Sequence, residues 1–196
     1  MSAPSLGRRA VVAALLKDRD SAPAVLGLGA CVWDAAAVGD GPLNFGLWGA
    51  MGGAVPIGLG LALAQPERRV LVITGDGEML MGLGSLATVA VQRPSNLVIA
   101  VIDNERYGET GMQPTHTAHG VDLAAIAAGA GFPVARRVDD AAGLSAALPP
   151  WYGAPGPLLL DIKVTAEPVP LVLPPRDGEH LKDRFREALL GSGSVL

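Results

Sequence analysis

Two apolar runs dominate the hydrophobic pattern of this chain. Val70-Leu71-Val72-Ile73 ends abruptly at Thr74-Gly75-Asp76-Gly77, and Leu97-Val98-Ile99-Ala100-Val101-Ile102 ends at Asp103-Asn104. Neither run alternates with polar residues and both are rich in β-branched side chains, which is the pattern of strands buried on both faces of a parallel sheet. Around them the pattern switches repeatedly between helix and strand. Residues 6–17 place Val11, Val12, Leu15 and Leu16 at helical spacing, with Ser5 as a candidate cap. Residues 24–29 read as a short strand running into a glycine turn, and 33–43 as a loop or short helix. Residues 55–64 read as a buried helix whose Gly58 and Ala62, four apart, let another backbone come close. Residues 79–91 form one apolar helix. The pattern then gives a helix over 121–131, a strand over 133–138, and a helix from Asp139-Asp140 to Leu148 that Pro149-Pro150 stops. A last strand spans 157–164, an extended segment 168–175, and a closing amphipathic helix 178–190. The alternation predicts an α/β fold, a doubly wound parallel sheet with helices on both faces. Residues 1–190 make one domain, with 191–196 as a disordered tail.

Composition narrows the class. The 196 residues suffice for one full core, and 49% apolar against 17% charged residues excludes a disordered chain. A mean hydropathy of +0.36 is high. No apolar run reaches membrane-spanning length without interruption, since glycines and Pro56 break up 49–64, so the excess is read as buried interface. A net charge of −4 and a pI near 5.3 argue against a nucleic-acid surface. Cys31 is the single cysteine, which excludes an internal disulfide. The apolar stretch after Arg8-Arg9 is too short for a signal peptide and is followed by Lys17-Asp18-Arg19-Asp20, so a cytoplasmic protein is expected.

In a doubly wound sheet, ligands bind outside the carboxyl ends of the strands. Asp76 and Asn104 therefore open onto one crevice, and two oxygen side chains there suit a hard cation such as Mg²⁺ that also holds a phosphate. The apolar helix after Asp76 points its free N–H groups at the same crevice, which favours an anion. Gly27-Leu28-Gly29 lacks the third glycine of a dinucleotide fingerprint, Val32 standing in its place, so a plain strand-end turn is the better reading. The polar stretch 103–120 is too long for a mere connector. It carries His116 and His119, but no Cys or third His is nearby and Asp122 is the one close carboxylate, which falls short of a zinc site. A contact to substrate or partner suits His116 better.

Gly75-Asp76-Gly77, twenty-five residues, then Asp103-Asn104 resembles the thiamine diphosphate signature, which runs from Gly-Asp-Gly to a terminal Asn. Gly49-Ala50-Met51-Gly52 ahead of it, and Tyr107-Gly108 with Gly111-Met112-Gln113-Pro114-Thr115-His116 after it, are similar to the diphosphate-binding domain of 2-oxo acid decarboxylases. The nearest group is the β-subunit type of sulfopyruvate and phosphonopyruvate decarboxylases. The resemblance implies Mg²⁺ on the side chains of Asp76 and Asn104 and the backbone carbonyl of Arg106. It implies that the diphosphate is held at Gly75, Asp76 and the amides of Gly77 and Glu78, with Tyr107, Gly108, Glu109 and Thr110 wrapped around it. It gives Met51 the catalytic role of the apolar wedge that bends the cofactor, with Gly49 and Ala50 beside it and the Gly49 carbonyl on the pyrimidine amino group. A glutamate at position 78 is electrostatically awkward beside a diphosphate, so its side chain either turns away or meets a partner chain. The resemblance further implies an activating glutamate from a separate pyrimidine-binding, α-type subunit, since Glu67 and Glu78 lie on this domain's own turns. The expected protein is a hetero-oligomeric decarboxylase of a 2-oxo acid. A carboligase or acetolactate-synthase-like half, or a non-catalytic assembly partner, stays open.

Overall fold

A computed structural model describes residues 5–194. Six parallel strands form the central sheet: β1 (Ala24–Leu26), β2 (Asn44–Gly46), β3 (Val70–Gly75), β4 (Leu97–Asp103), β7 (Val134–Val138) and β8 (Leu158–Lys163). Their order is β2-β1-β3-β4-β8-β7. The centre of the sheet is β3, β4 and β8, whose side chains are buried almost without exception. This burial is why their sequences are apolar without alternation. The helices α1 (Arg8–Lys17), α2 (Ala30–Gly39) and α7 (Ala141–Gly153) pack on one face. On the other lie α3 (Ala54–Ala64), α5 (Ser85–Gln92) and α6 (Leu123–Ala130). The doubly wound architecture is as the pattern predicts. After β2 the chain crosses back over β1 to build β3 on the opposite side, so the winding reverses between β1 and β3. A crevice at that reversal is the expected ligand position.

Several expectations need correction. Residues 79–91 are not one helix: α4 (Asp76–Met81) begins at Asp76 itself, and Gly82-Leu83-Gly84 separate it from α5. Pro149-Pro150 do not stop α7, which continues to Gly153. Trp151 is wholly buried and its Nε1–H donates to the Leu15 carbonyl at 3.0 Å, so tertiary packing holds the helix through the prolines. Ser5 does not cap α1; Gly7 occupies the cap position without a side-chain bond. Of the loop or short helix expected over 33–43 the helix is the one present, as α2 starting at Ala30, and 44–46 form an edge strand that Gly46 and the glycines after it disguise. Residues 103–120 hold a two-stranded hairpin, β5 (Arg106–Tyr107) with β6 (Gln113–Pro114), and a 3₁₀ turn at His116–His119. At the chain end α8 (Gly178–Leu190) is followed by a turn, in which the Ser194 carbonyl accepts from Arg186 at 2.9 Å. The last two residues of the expected tail lie outside the described residues.

The close approach expected at Gly58 is realised against β3. A Cβ at Gly58 would overlap the Val72 side chain, itself fully buried at the centre of the sheet. Gly58→Ala is therefore expected to destabilise the fold by about 1–3 kcal/mol through overpacking, despite the better helix propensity of alanine. Urea unfolding monitored by circular dichroism checks this.

Candidate functional site

The crevice lies where the winding predicts, at the carboxyl ends of β1, β3 and β4, with a volume of about 770 Å³. Leu28 and Cys31 border it from the β1–α2 turn, Gly75 to Glu78 from β3–α4, and Asn104 with Arg106 to Thr110 from the loop after β4. Met51 borders it as well, while Gly49 and Ala50 stand exposed beside it. Met51, Gly75 to Glu78, Asn104 and Arg106 to Thr110, of the predicted site residues, thus line one crevice. β3 and β4 pair with Gly75 opposite Ile102, so the register brings Asp76 beside Asp103, the last residue of β4, and Asn104 follows one residue on at the same end of the sheet.

Asp76 is 2% exposed. Its Oδ2 accepts from the Thr115 hydroxyl at 2.5 Å and from the Thr117 hydroxyl at 3.3 Å. Burial and the charge of Asp103 push its pKa up to about 6, against the stabilising pull of the two hydroxyls. The single Thr117 hydroxyl proton is shared with Asp103 Oδ1, the nearer acceptor at 2.8 Å, so one residue bridges the two strand tips. The Thr115-x-Thr117 pair was not anticipated from the sequence. The histidines that flank and follow it, His116 and His119, are exposed and do not border the crevice. Alternation within Thr115-His116-Thr117 was the available signal.

Asp103 belongs to a second unanticipated feature, a charge cluster beneath the crevice. Lys163 Nζ donates to Asp103 Oδ2 at 2.7 Å and to Glu105 Oε1 at 2.8 Å. Burial pulls the Lys163 pKa down, but the two carboxylates outweigh it and hold it above the ordinary value. Asp103 Oδ1 accepts the Glu105 amide at 2.9 Å, and Asn104 Oδ1 accepts the Arg106 amide at 3.0 Å. These bonds fix the turn at which Glu105 takes a left-handed φ of 62°. Asp161, fully buried on β8, has no donor for either oxygen. Its pKa is pushed up to about 8 by burial first and then by the charge of Asp103, so near neutrality it keeps its proton. The sign for stability follows. An unfolded aspartate titrates near 3.9, so between about pH 4 and 8 the folded protein alone holds this proton and stability falls as pH rises. Asp161→Asn keeps a donor and removes the titration. Thermal midpoints measured from pH 5 to 8 should fall less steeply for this variant than for the wild type.

Glu78 turns its side chain away from the crevice, the first of the two outcomes its position allowed. Its Oε1 accepts the Ala54 amide at 3.3 Å, and the residue is 3% exposed. Glu109 lies against Gly29 at the start of α2, and burial raises its pKa while nearby Arg8 lowers it. Gly77 is glycine for a steric reason: a Cβ there would sit 2.5 Å from the Tyr107 ring. Arg8 on the crevice wall was also missed. Its Nε donates to buried Asp34 Oδ2 at 2.7 Å, so its position depends on α2, a helix the sequence left half unread. Exposed Glu167 adds a further carboxylate at the rim. Among the described residues, no group of three or more His, Cys, Asp or Glu side chains is placed to hold a metal by itself.

Thiamine pyrophosphate enzymes, in their C-terminal TPP-binding domain, match this chain over residues 29–162, more than half its length. The chain belongs to that family. The matched stretch begins at the β1–α2 turn and ends in β8, so it contains both strand tips and the whole loop between β4 and α6. The sulfopyruvate decarboxylase subunit beta of Methanothermobacter thermautotrophicus is 52% identical over 101 residues, 52% of this chain and 54% of that one. The phosphonopyruvate decarboxylase of Streptomyces hygroscopicus is 39% identical over 145 residues, covering 74% of this chain and 36% of that protein. Among solved structures, a putative thiamin diphosphate-dependent enzyme from Mycobacterium smegmatis superimposes with a TM-score of 0.70 at 25% identity, covering 83% of this chain and 32% of its own. The chain thus spans about half the length of the subunit-beta relative and about a third of the other two proteins. Among the described residues, no helix is long and apolar enough to cross a membrane.

Proposed function

We propose that this chain is the diphosphate-binding half of a thiamine diphosphate- and Mg²⁺-dependent 2-oxo acid decarboxylase. The observation that carries the reading is the pairing at the strand tips. Asp76 is buried with both threonine hydroxyls on Oδ2, which leaves Oδ1 for a cation, and Asn104 opens on the same crevice. With the Arg106 carbonyl these would hold Mg²⁺ by hard oxygen atoms, the remaining positions falling to diphosphate and water. The amides of Gly77 and Glu78, in the first turn of α4, would take the diphosphate. Met51 and the exposed Gly49-Ala50 would meet the pyrimidine end. Bound thiamine diphosphate supplies the electron sink for loss of CO₂ from a 2-oxo acid.

A partner chain would complete the site and supply the activating glutamate. Met51 on the crevice rim, Ile57 on α3 and Met81 at the end of α4 are all exposed, a concentration of apolar surface that suits a subunit interface. The relatives' names point to sulfopyruvate or phosphonopyruvate as the substrate class, and Arg8 and Arg106 are the basic side chains bordering the crevice. The test is reconstitution with products of neighbouring genes, Mg²⁺ and thiamine diphosphate, followed by a CO₂-release screen over 2-oxo acids. Release from a sulfonated or phosphonated pyruvate is expected, yielding a free aldehyde. No release from any assembled complex would defeat the decarboxylase reading. Products joined carbon to carbon would make it a carboligase, and full activity of the chain alone would move the activating carboxylate to Glu109 or Glu167.

A further inference from the structure

We propose that Glu78 is a positioning residue that clamps the Met51-bearing turn onto α4, so that the two ends of the cofactor site move as one body. The inference rests on the cofactor placement proposed above. Glu78 borders the crevice, but its carboxyl runs toward Gly27 and Ala54, which do not. Oε1 accepts from the Ala54 amide at the start of α3. Burial raises the Glu78 pKa, while the Thr74 hydroxyl and the amides of Ala54, Leu28 and Gly52 favour the charged form. Of these the Ala54 bond alone has full hydrogen-bond geometry; Oε2 is buried without such a partner. The other end of α4 grips the same turn through bare backbone. A Cβ at Gly52 would lie 2.9 Å from the Gly82 nitrogen, and one at Gly82 would lie 2.5 Å from the Gly52 carbonyl oxygen. Between these grips the turn is strained, with Ala50 at φ 59° and Gly52 at φ 89°, closed by the Gly53 amide on the Ala50 carbonyl at 2.8 Å. A non-glycine residue held in the left-handed region persists only where its surroundings over-determine it, and the Glu78 side chain reaches across from α4 to the end of that turn. The arrangement also resolves the electrostatic conflict of a carboxylate beside diphosphate-binding amides, by giving it other donors.

Gly27 supplies an independent handle. A Cβ there would overlap Glu78 Oε2 and lie 2.9 Å from Thr74 Oγ1, and Gly27 has no positive φ, so alanine is allowed by the backbone and opposed first by the glutamate, the Thr74 hydroxyl having only a few tenths of an ångström to give. Gly27→Ala should therefore expel the Glu78 carboxyl, and Glu78→Ser should remove it while leaving room for the new methyl group. Hydrogen exchange on the full chain, without cofactor, is expected to speed up about tenfold over residues 50–54 in each variant, with β8 and α6 unchanged. The double variant should be no worse than Glu78→Ser alone. In the reconstituted complex with Mg²⁺, Glu78→Ser should weaken thiamine diphosphate about tenfold more than it changes the binding of inorganic diphosphate. Unchanged exchange over 50–54, additive effects of the two substitutions, or equal losses for both ligands would overturn the clamp. If exchange responds as expected but wild-type protein binds neither ligand, the clamp stands and the cofactor placement falls.

Discussion

Asp76→Ala is expected to abolish Mg²⁺-dependent uptake of thiamine diphosphate, with affinity falling at least about a hundredfold. A unit charge about 4 Å from its partner is worth roughly 4 kcal/mol at an effective dielectric near 20, and a direct ligand sits closer than that. Nothing nearby can substitute. Asp103, the neighbouring carboxylate, already accepts from Lys163, Thr117 and the Glu105 amide. Asp76→Asn keeps an oxygen of similar reach without the charge, so it should fall between alanine and wild type. The fold should survive both changes and gain stability above neutral pH, because burial and Asp103 already disfavour the charged form of Asp76. Calorimetric titration of the reconstituted complex, with thermal unfolding as the control, checks the separation of binding from folding.

Lys163→Met is expected to produce the largest loss of stability among single substitutions at the site, about 3–5 kcal/mol. The ammonium is 3% exposed and sits between a fully buried Asp103 and a half-buried Glu105. Removing it leaves Asp103 facing Asp161 without its ion-pair partner, and methionine fills the volume without supplying a donor. The loss should grow as pH rises from 5 to 8, because Asp161 gives up its proton near the top of that range and two buried negative charges then face each other. Urea unfolding at both pH values tests the size and the trend. The same substitution frees Glu105, the residue between the proposed metal-binding positions Asn104 and Arg106, so Mg²⁺ affinity should drop along with stability.

The sheet was legible because its central strands are buried on both faces, which forces an uninterrupted apolar sequence at 70–73 and 97–102. The strand tips were legible because glycine and acidic residues have little reason to end such runs unless the tips are used. What escaped was set by tertiary contact. Asp161 and Lys163 look like the polar end of a strand until β8 is known to pair with β4, which puts Lys163 opposite Asp103. Thr115 and Thr117 are unremarkable in a polar loop until the loop folds back over Asp76. α2 has no polar stripe by which to announce itself, because Asp34 is buried under Arg8 and Arg9. The run of α7 through two prolines depends on Trp151 reaching Leu15, a residue far away in the chain.

The central claim is that the tips of β3 and β4 jointly hold a divalent ion that in turn anchors the cofactor's diphosphate. Anomalous scattering from crystals of the reconstituted complex grown with Mn²⁺ and thiamine diphosphate tests it most directly. The account predicts one manganese peak in contact with Asp76, Asn104 and the Arg106 carbonyl, with diphosphate density on its far side. A peak seated instead among Asp103, Glu105 and Asp161, or cofactor density with no metal at the strand tips, would contradict it.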